Sequence, residues 1–503
     1  MKTRCFFLRL FVPFLMLAIS CRNGPVQVYP ANPHYFSYKG HPIVLITSDH
    51  HYGAVIDQDF DIARYLKFLS DNDMNLTRIY PGGMFEPTDK YLKGNPLGPR
   101  PGRQLLPWAL SEQTGANPSL AEPGKPSYKY DLDTWNPKYF DRLKDFVELA
   151  QKQDIIVEIP FFNGMYADCW PLMAMYHGNN IQNIGKYTAE DCGLFTTTDD
   201  RNKSVMKYQK AYIQKIVTEL NEYDNIIYDI CDEPSLQGLP NGSIIVNPDS
   251  MVAPWIIEMK EAFLQAEKSL PKKHLLGQTV QNLSPDFSKD SWCEWLAAEY
   301  VRPAEKALNM DYETNKPIVN VESNYFGTSL TKDPYTADAI RIEGWWFMLA
   351  GGAGSINLNG EYYRENESGL SITRSQIAPQ RKILKEFMDG LDLSGLTRFT
   401  KINGTPDDAI CNGLAENGKQ YALYLFHGFH DSEWGANFFP KPGNYVDTLT
   451  LNDIPEGVYF VNWYNPASGA SLGTEKRNWK GGNFTVITPP YSLDIALKIS
   501  NLE

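Results

Sequence analysis

A chain of 503 residues with 43% apolar and 21% charged side chains is globular, and long enough for more than one hydrophobic core. Its formal net charge of −13 argues against nucleic acid or an anionic membrane surface as a partner. The 11 Trp, 29 Tyr and 25 Phe suit a ring-stacking binding cleft and a large core equally well, so they decide nothing alone.

The chain opens on Lys2, Arg4 and Arg9 followed by the apolar run Leu10 to Ile19, the pattern of an export leader over residues 1–21. The run ends in Leu17-Ala18-Ile19-Ser20-Cys21, which resembles a bacterial lipobox with its Leu one place early. The expectation is an exported protein at the outer membrane, periplasm or cell surface, touching membrane only through a lipid on Cys21. An ordinary cleaved signal peptide is the alternative. Beyond it Cys169, Cys192, Cys231, Cys293 and Cys411 are scattered without disulfide-framework or metal spacing and read as buried free thiols, with a Cys169–Cys192 loop closure as the alternative.

Residues 22–40 are rich in Pro, Asn and Tyr and read as a surface wrap. Ile43 to Thr47 is the first run apolar on both faces, as in a parallel sheet, and leads into Asp49, His50 and His51. Ile62, Tyr65, Leu66 and Leu69 then recur at helical spacing. The second strand, Asn75 to Tyr80, is followed by a long proline-rich loop carrying Trp108, and loops of that length are functional or mobile. A helix marked by Phe140, Leu143, Phe146, Val147 and Ala150 precedes the strand Ile155 to Phe161, which opens into a loop bearing Trp170. Met206, Ile213, Ile216, Val217 and Leu220 give the helix before a fourth strand, Asn225 to Glu233, expected to stop at Pro234 because proline lacks an N–H. Strands at Leu275 to Val280, Trp295 to Ala298 and Pro317 to Glu322 follow, then a helix around Trp345 and Trp346 and a last strand near Gly354.

Eight strands alternating with helices predict an α/β fold, a (β/α)8 TIM barrel over residues 22–394. From residue 395 to 503, short strands such as Tyr421 to Phe426, Val458 to Tyr464 and Asp494 to Ile499 sit between Gly, Asn and Pro turns, and predict an antiparallel β-sandwich. No Gly-rich dinucleotide fingerprint follows the first strand and no ligand set has metal spacing, so no cofactor and no metal are expected.

Two apolar strands end in glutamate, Glu233 beside Asp232, and Glu322. In a parallel barrel all strand ends gather on one rim, so the two face a common mouth. A pair of carboxyls in that position is the equipment of glycoside hydrolysis. Simple pairing of each glutamate with a rim arginine is the bland alternative. With Asp232-Glu233-Pro234 on strand four, Glu322 on strand seven and Asn75-Leu76-Thr77-Arg78 on strand two, the chain resembles clan A, family 5 or cellulase-like, glycoside hydrolases. Tyr35 to Pro42 and Trp463-Tyr464-Asn465-Pro466 resemble the bacterial apiosidase-like group, whose C-terminal β-domain is labelled collagen-binding.

The resemblance implies a retaining hydrolase acting on plant or host glycans, with Glu233 as acid/base, Glu322 as nucleophile and Arg78 as its orienting partner. It departs at Asp232, where the clan has Asn against the sugar 2-hydroxyl. Asp49, His50, His51, Asn163, Tyr300 and Trp345 are further substrate-binding candidates. Gln278, Asn324 and Asn357 are weaker ones, and Trp108 and Trp170 are candidates for stacking on sugar. Long loops on the rim point to a pocket and exo action. The competing reading is a catalytically inactive, lipid-anchored glycan-binding or adhesion protein, which the intact Glu233, Glu322 and Arg78 oppose.

Overall fold

The computed structural model describes residues 24–47, 52–90, 97–280, 283–299, 305–322, 336–356, 374–430 and 438–501. The leader with Cys21, and Asp49, His50, His51, Tyr300, Asn324 and Asn357, lie outside these residues.

Eight parallel strands form a near-closed TIM barrel: Leu45–Ile46, Leu76–Arg78, Ile156–Tyr166, Ile226–Gly238, Leu276–Val280, Trp295–Glu299, Ile318–Glu322 and Gly354–Ser355. Hydrogen-bonded neighbours run one, eight, seven, six, five, four, three, two, as eight consecutive strand–helix units demand. Between strands one and two Asn75 closes the seam. Its backbone N–H reaches Ile46 O (3.2 Å), its side-chain Oδ1 accepts from Ile46 N (2.9 Å) and its Nδ2 donates to Val44 O (2.8 Å). The amide side chain thus does the work of a missing ladder rung.

The helices cover the barrel with the faces their spacing predicts. Ile62–Asp71 buries Ile62, Tyr65, Leu66 and Leu69, and is capped where Asp61 accepts from Arg64 N. Residues 22–40 do not merely wrap the surface. Gln27–Val28, Phe36–Tyr38 and His41–Ile43 make a small antiparallel sheet across the strand-start end, with Phe36 buried against Trp295 and Val26 N bonded to Asp224 O. The proline-rich loop is also built: Trp108–Thr114 and Tyr128–Trp135 form a hairpin.

The fourth strand does not stop at Pro234. Its parallel pairing with strand three runs to Asn163↔Asp232, breaks, and resumes at Met165↔Gln237, so the chain between bulges outward and then continues as an extended ribbon paired with Ile244–Val246. Pro234 sits inside the bulge, where no ladder N–H is required.

The C-terminal region is an antiparallel sheet whose central strands are Ala409–Glu416, Gln420–His430, Thr448–Tyr464, Ser471–Ile487 and Asp494–Asn501. A register shift between Leu451 and Ile454 breaks the long Thr448–Tyr464 hairpin. Leu449, Leu451, Phe484 and Val486 on one limb share a core with Leu423, Leu425, Ile495 and Leu497 on the other, giving the sandwich character. The outer face of Gln420–His430 packs on the helix Ala337–Leu349, where Trp345 lies on Tyr424 (5.4 Å between centroids) and Trp346 on Phe426 (5.1 Å). Buried Arg341 forks onto Asp494 through Nε to Oδ2 (2.8 Å) and Nη2 to Oδ1 (3.0 Å), and Tyr424 donates to the same carboxylate. One apolar cluster spans both regions, so the sheet braces the barrel.

Candidate active site

Register brings the site together. Arg78 ends strand two opposite Glu158 of strand three, Asn163 of strand three pairs with Asp232 of strand four, and Glu299 of strand six pairs with Glu322 of strand seven. Asp232, Glu233, Glu299 and Glu322 are 1%, 6%, 2% and 5% exposed. Such groups persist in a protein interior only when paired, hydrogen-bonded or protonated.

Arg78, fully buried, is the only cation among the described residues that faces them. Its Nε donates to Glu158 Oε1 (2.9 Å), Nη2 to Asp232 Oδ1 (2.6 Å) and Nη1 to the Tyr52 hydroxyl (2.9 Å). Nη1 also stands 3.7 Å from Glu322 Oε2, and Tyr52 donates to that same oxygen (2.5 Å). Glu322 therefore faces a donor and a cation, surroundings that favour an anionic carboxylate.

Asp232 is the most tightly held. Besides Arg78 it accepts from the Tyr80 hydroxyl and from Asn163 Nδ2 (2.9 Å). Burial pushes its carboxyl up, but the Arg78 charge and hydrogen bonds from Glu299, Arg78 and Tyr80 outweigh burial and hold it below the ordinary aspartate range. Glu233 goes the other way. Burial first, then the charges of Asp232 and Glu322, raise it well above the ordinary glutamate value, against a hydrogen bond from Tyr166. The carboxyls of two adjacent residues are thus pushed in opposite directions, one below and one above its ordinary range.

The backbone at Glu233 adopts φ 44°, in the left-handed region where a glutamate is strained. Gly164 makes room for this bulge, because a Cβ there would stand 2.3 Å from Glu233 O and 2.8 Å from Leu236 Cβ. The strand-four bulge is what aims Glu233 into the mouth instead of along the sheet.

Several sequence expectations need correction. Trp345 is not a substrate-binding residue: it is 1% exposed, wedged between Phe387 and Tyr424 where the helix Ala337–Leu349 meets the C-terminal sheet. Trp108 and Trp170 do not stack on sugar either. Trp108 is buried against Trp135 and Tyr212, and Trp170 lies flat on Tyr187, 4.4 Å away, with Nε1 bonded to Tyr187 O. In both cases the loop folds back and uses the indole as its own core. Gln278 spends its amide on Cys231 O (3.0 Å) and Thr279 O (3.2 Å) behind the strands. The five described cysteines are free, as expected.

Asn163 does reach the site, as a support for Asp232, and its buried Oδ1 has no partner. Tyr52, Tyr80, Glu158 and Glu299 were not singled out from sequence. Tyr80 and Glu158 carried a signal, since Tyr80 follows Arg78 by two on a strand and Glu158 interrupts an apolar run. One oxygen each of Asp232, Glu299 and Glu322 lies within 4.8 Å of the others, and Arg78 already bonds Asp232 and faces Glu322 from beside this cluster.

Among solved structures, a protein described as a glycoside hydrolase matches with TM-score 0.60 and 12% identity, over 95% of this chain and 97% of that one. A glycoside hydrolase family 5 protein from Bacteroides vulgatus ATCC 8482 matches with TM-score 0.57 and 13% identity, over 95% and 94%. A second protein of that organism, described as a glycoside hydrolase, matches with TM-score 0.57 and 12% identity, over 96% and 83%. At such identities the likeness is one of fold. Among curated proteins none matches the sequence. The near-closed barrel is the fold of these glycoside hydrolases. Residues 107–357 match the family model of the apiosidase-like catalytic domain.

The opposed pair gives a first test. If Glu233 is the general acid it must be protonated, and activity then falls on the basic side as pH passes its pKa. Asp232→Asn removes the neighbouring negative charge that helps raise that value. The variant is expected to retain activity, because Asn163 has a free Oδ1 to turn toward the new amide, but its basic limb of kcat/KM should move to lower pH. An unchanged limb would show that Asp232 does not tune Glu233.

Proposed function

We propose that the protein is a retaining, exo-acting glycoside hydrolase that releases an uncharged terminal sugar. Glu322 is the nucleophile and Glu233 the acid/base. The observation that carries this reading is the contrast between the two: Glu322 faces the Tyr52 donor and Arg78, whereas burial and neighbouring charge push the Glu233 carboxyl well above the ordinary glutamate range. In the first step Glu322 attacks the anomeric carbon while Glu233 gives its proton to the departing glycosidic oxygen. The resulting Glu233 carboxylate then deprotonates the water that cleaves the glycosyl ester, which returns both groups to their starting states.

An uncharged sugar suits the charge balance of the described residues. Arg78 is engaged by Glu158, Asp232 and Glu322, and Lys90, further out on the rim, is paired with Asp168. An anionic substituent on the sugar would meet carboxyls with no spare cation among the described residues. The walls built after strands two and three support exo action. The family's name makes an apiosyl unit, an uncharged branched pentose, the first glycone to test.

The decisive experiment is covalent trapping with activated fluoro-sugars, apiosyl first, followed by mass spectrometry of peptides. Label on Glu322 is expected. Label on another carboxyl, or a product of inverted configuration by NMR, would overturn the assignment.

A further inference from the structure

Glu299 has no place in the two-glutamate mechanism, yet it sits in the middle of it. It ends strand six in register with Glu322, is 2% exposed, and has one oxygen within 4.8 Å of oxygens of both Asp232 and Glu322. As a carboxylate it is in an untenable position. Among the described residues neither of its oxygens has a donor, and the carboxylates of Asp232 and Glu322 beside it are themselves acceptors. Leaving two buried acceptor oxygens unsatisfied beside two anions costs far more than binding one proton. A proton on Glu299 removes the difficulty, since its O–H then points at Asp232.

We propose that Glu299 is a positioning residue that works as a neutral carboxylic acid. It donates a hydrogen bond to Asp232 and keeps a third negative charge away from the nucleophile Glu322. The role rests on the reading of Glu322 and Glu233 given above. Asp232, held by Arg78, Tyr80 and Asn163, then gains a fourth donor, and Arg78 is left to balance two anions at the reaction centre instead of three.

The groups acting on Glu299 come from several walls of the barrel: Asp232 and Glu233 from strand four, Glu322 from strand seven and Tyr52 from beyond strand one. Burial and then the neighbouring carboxyls of Asp232, Glu233 and Glu322 push its carboxyl well above the ordinary range, in agreement with the geometry.

Two substitutions separate the neutral acid from a carboxylate. Glu299→Gln keeps the shape, the neutrality and a donor, so its kcat should stay close to wild type. Glu299→Leu keeps bulk without a donor and should lower kcat roughly tenfold to a hundredfold, the cost of one buried hydrogen bond, with little change in KM. The idea is overturned if Glu299→Gln falls as far as Glu299→Leu. A readout free of activity is isotope-edited infrared difference spectroscopy at neutral pH, wild type minus Glu299→Gln. A carboxylic-acid carbonyl band is expected in the difference, and a carboxylate band in its place refutes the proposal. If the acid band is present while fluoro-sugar labelling misses Glu322, the mechanism fails and the protonation of Glu299 stands.

Discussion

Glu322→Gln is expected to lower kcat by about 10⁴-fold or more, the scale on which loss of a catalytic nucleophile is felt. The amide keeps the volume of the side chain and can still accept from Tyr52, so the fold should survive while the attacking oxygen is lost. Glu233→Gln should behave differently. Losing the general acid costs about 10²–10⁴-fold on a natural leaving group, but much less on an activated aryl glycoside, whose departing oxygen needs no proton. With such a substrate the first step proceeds and the second, which needs the base, becomes limiting. Added azide should then accelerate turnover of Glu233→Gln and give a glycosyl azide of retained configuration. The basic limb should also vanish from the pH profile of this variant, because no titrating acid remains at that position. Steady-state kinetics on two leaving groups, with and without azide, checks all of this. If both variants hydrolyse glycans at the wild-type rate, the central assignment is wrong.

The barrel could be read from sequence because each inner strand is buried on both faces and therefore nearly all apolar, so a charged residue at its end stands out. Glu233 and Glu322 were legible in that way. Glu299 has the same context, yet only the register with Glu322 shows what it faces. Glu158 and Asp229 interrupt apolar runs visibly enough, but their partner Arg78 lies one or two strands away in space and some 80 and 150 residues away in sequence, a relation that topology alone supplies. The tryptophans misled for another reason. A Trp in a long loop reads as exposed until the loop is seen to pack on itself, as around Trp108 and Trp170. The helix Ala337–Leu349 is buried on nearly every side because it lies between barrel and C-terminal sheet, so its apolar pattern has no exposed face to betray Trp345 as core. The bulge after Asp232 is a third case: Pro234 correctly signals a broken ladder, but the break is an outward detour of a strand that then goes on.

The largest expected effect on stability belongs to Arg78. Its guanidinium is fully buried and touches Glu158, Asp232 and Tyr52, with Asp229 Oδ2 at 3.9 Å and Glu322 Oε2 at 3.7 Å. Arg78→Met conserves length and removes the charge, which strands Asp232 as an uncompensated buried anion. Breaking a buried pair in this way costs about 3–5 kcal/mol, more than most proteins can absorb without a clear loss of stability. Arg78→Lys should recover only part of it, since one ammonium cannot bridge Glu158, Asp232 and Tyr52 at once. The sign of the pH dependence follows from Asp232. Its folded-state pKa is depressed, so the stabilisation is present above the ordinary aspartate value and is lost as pH falls through the folded one. The gap in urea midpoint between wild type and Arg78→Met should therefore be wide near neutral pH and narrow in acid. Activity should fall with it, because Glu322 loses its cation and Tyr52 loses the donor that orients its hydroxyl. Equal midpoints near neutral pH would mean that Asp232 is not held as an anion by Arg78, and the contrast between Asp232 and Glu233 would have to be drawn from another source.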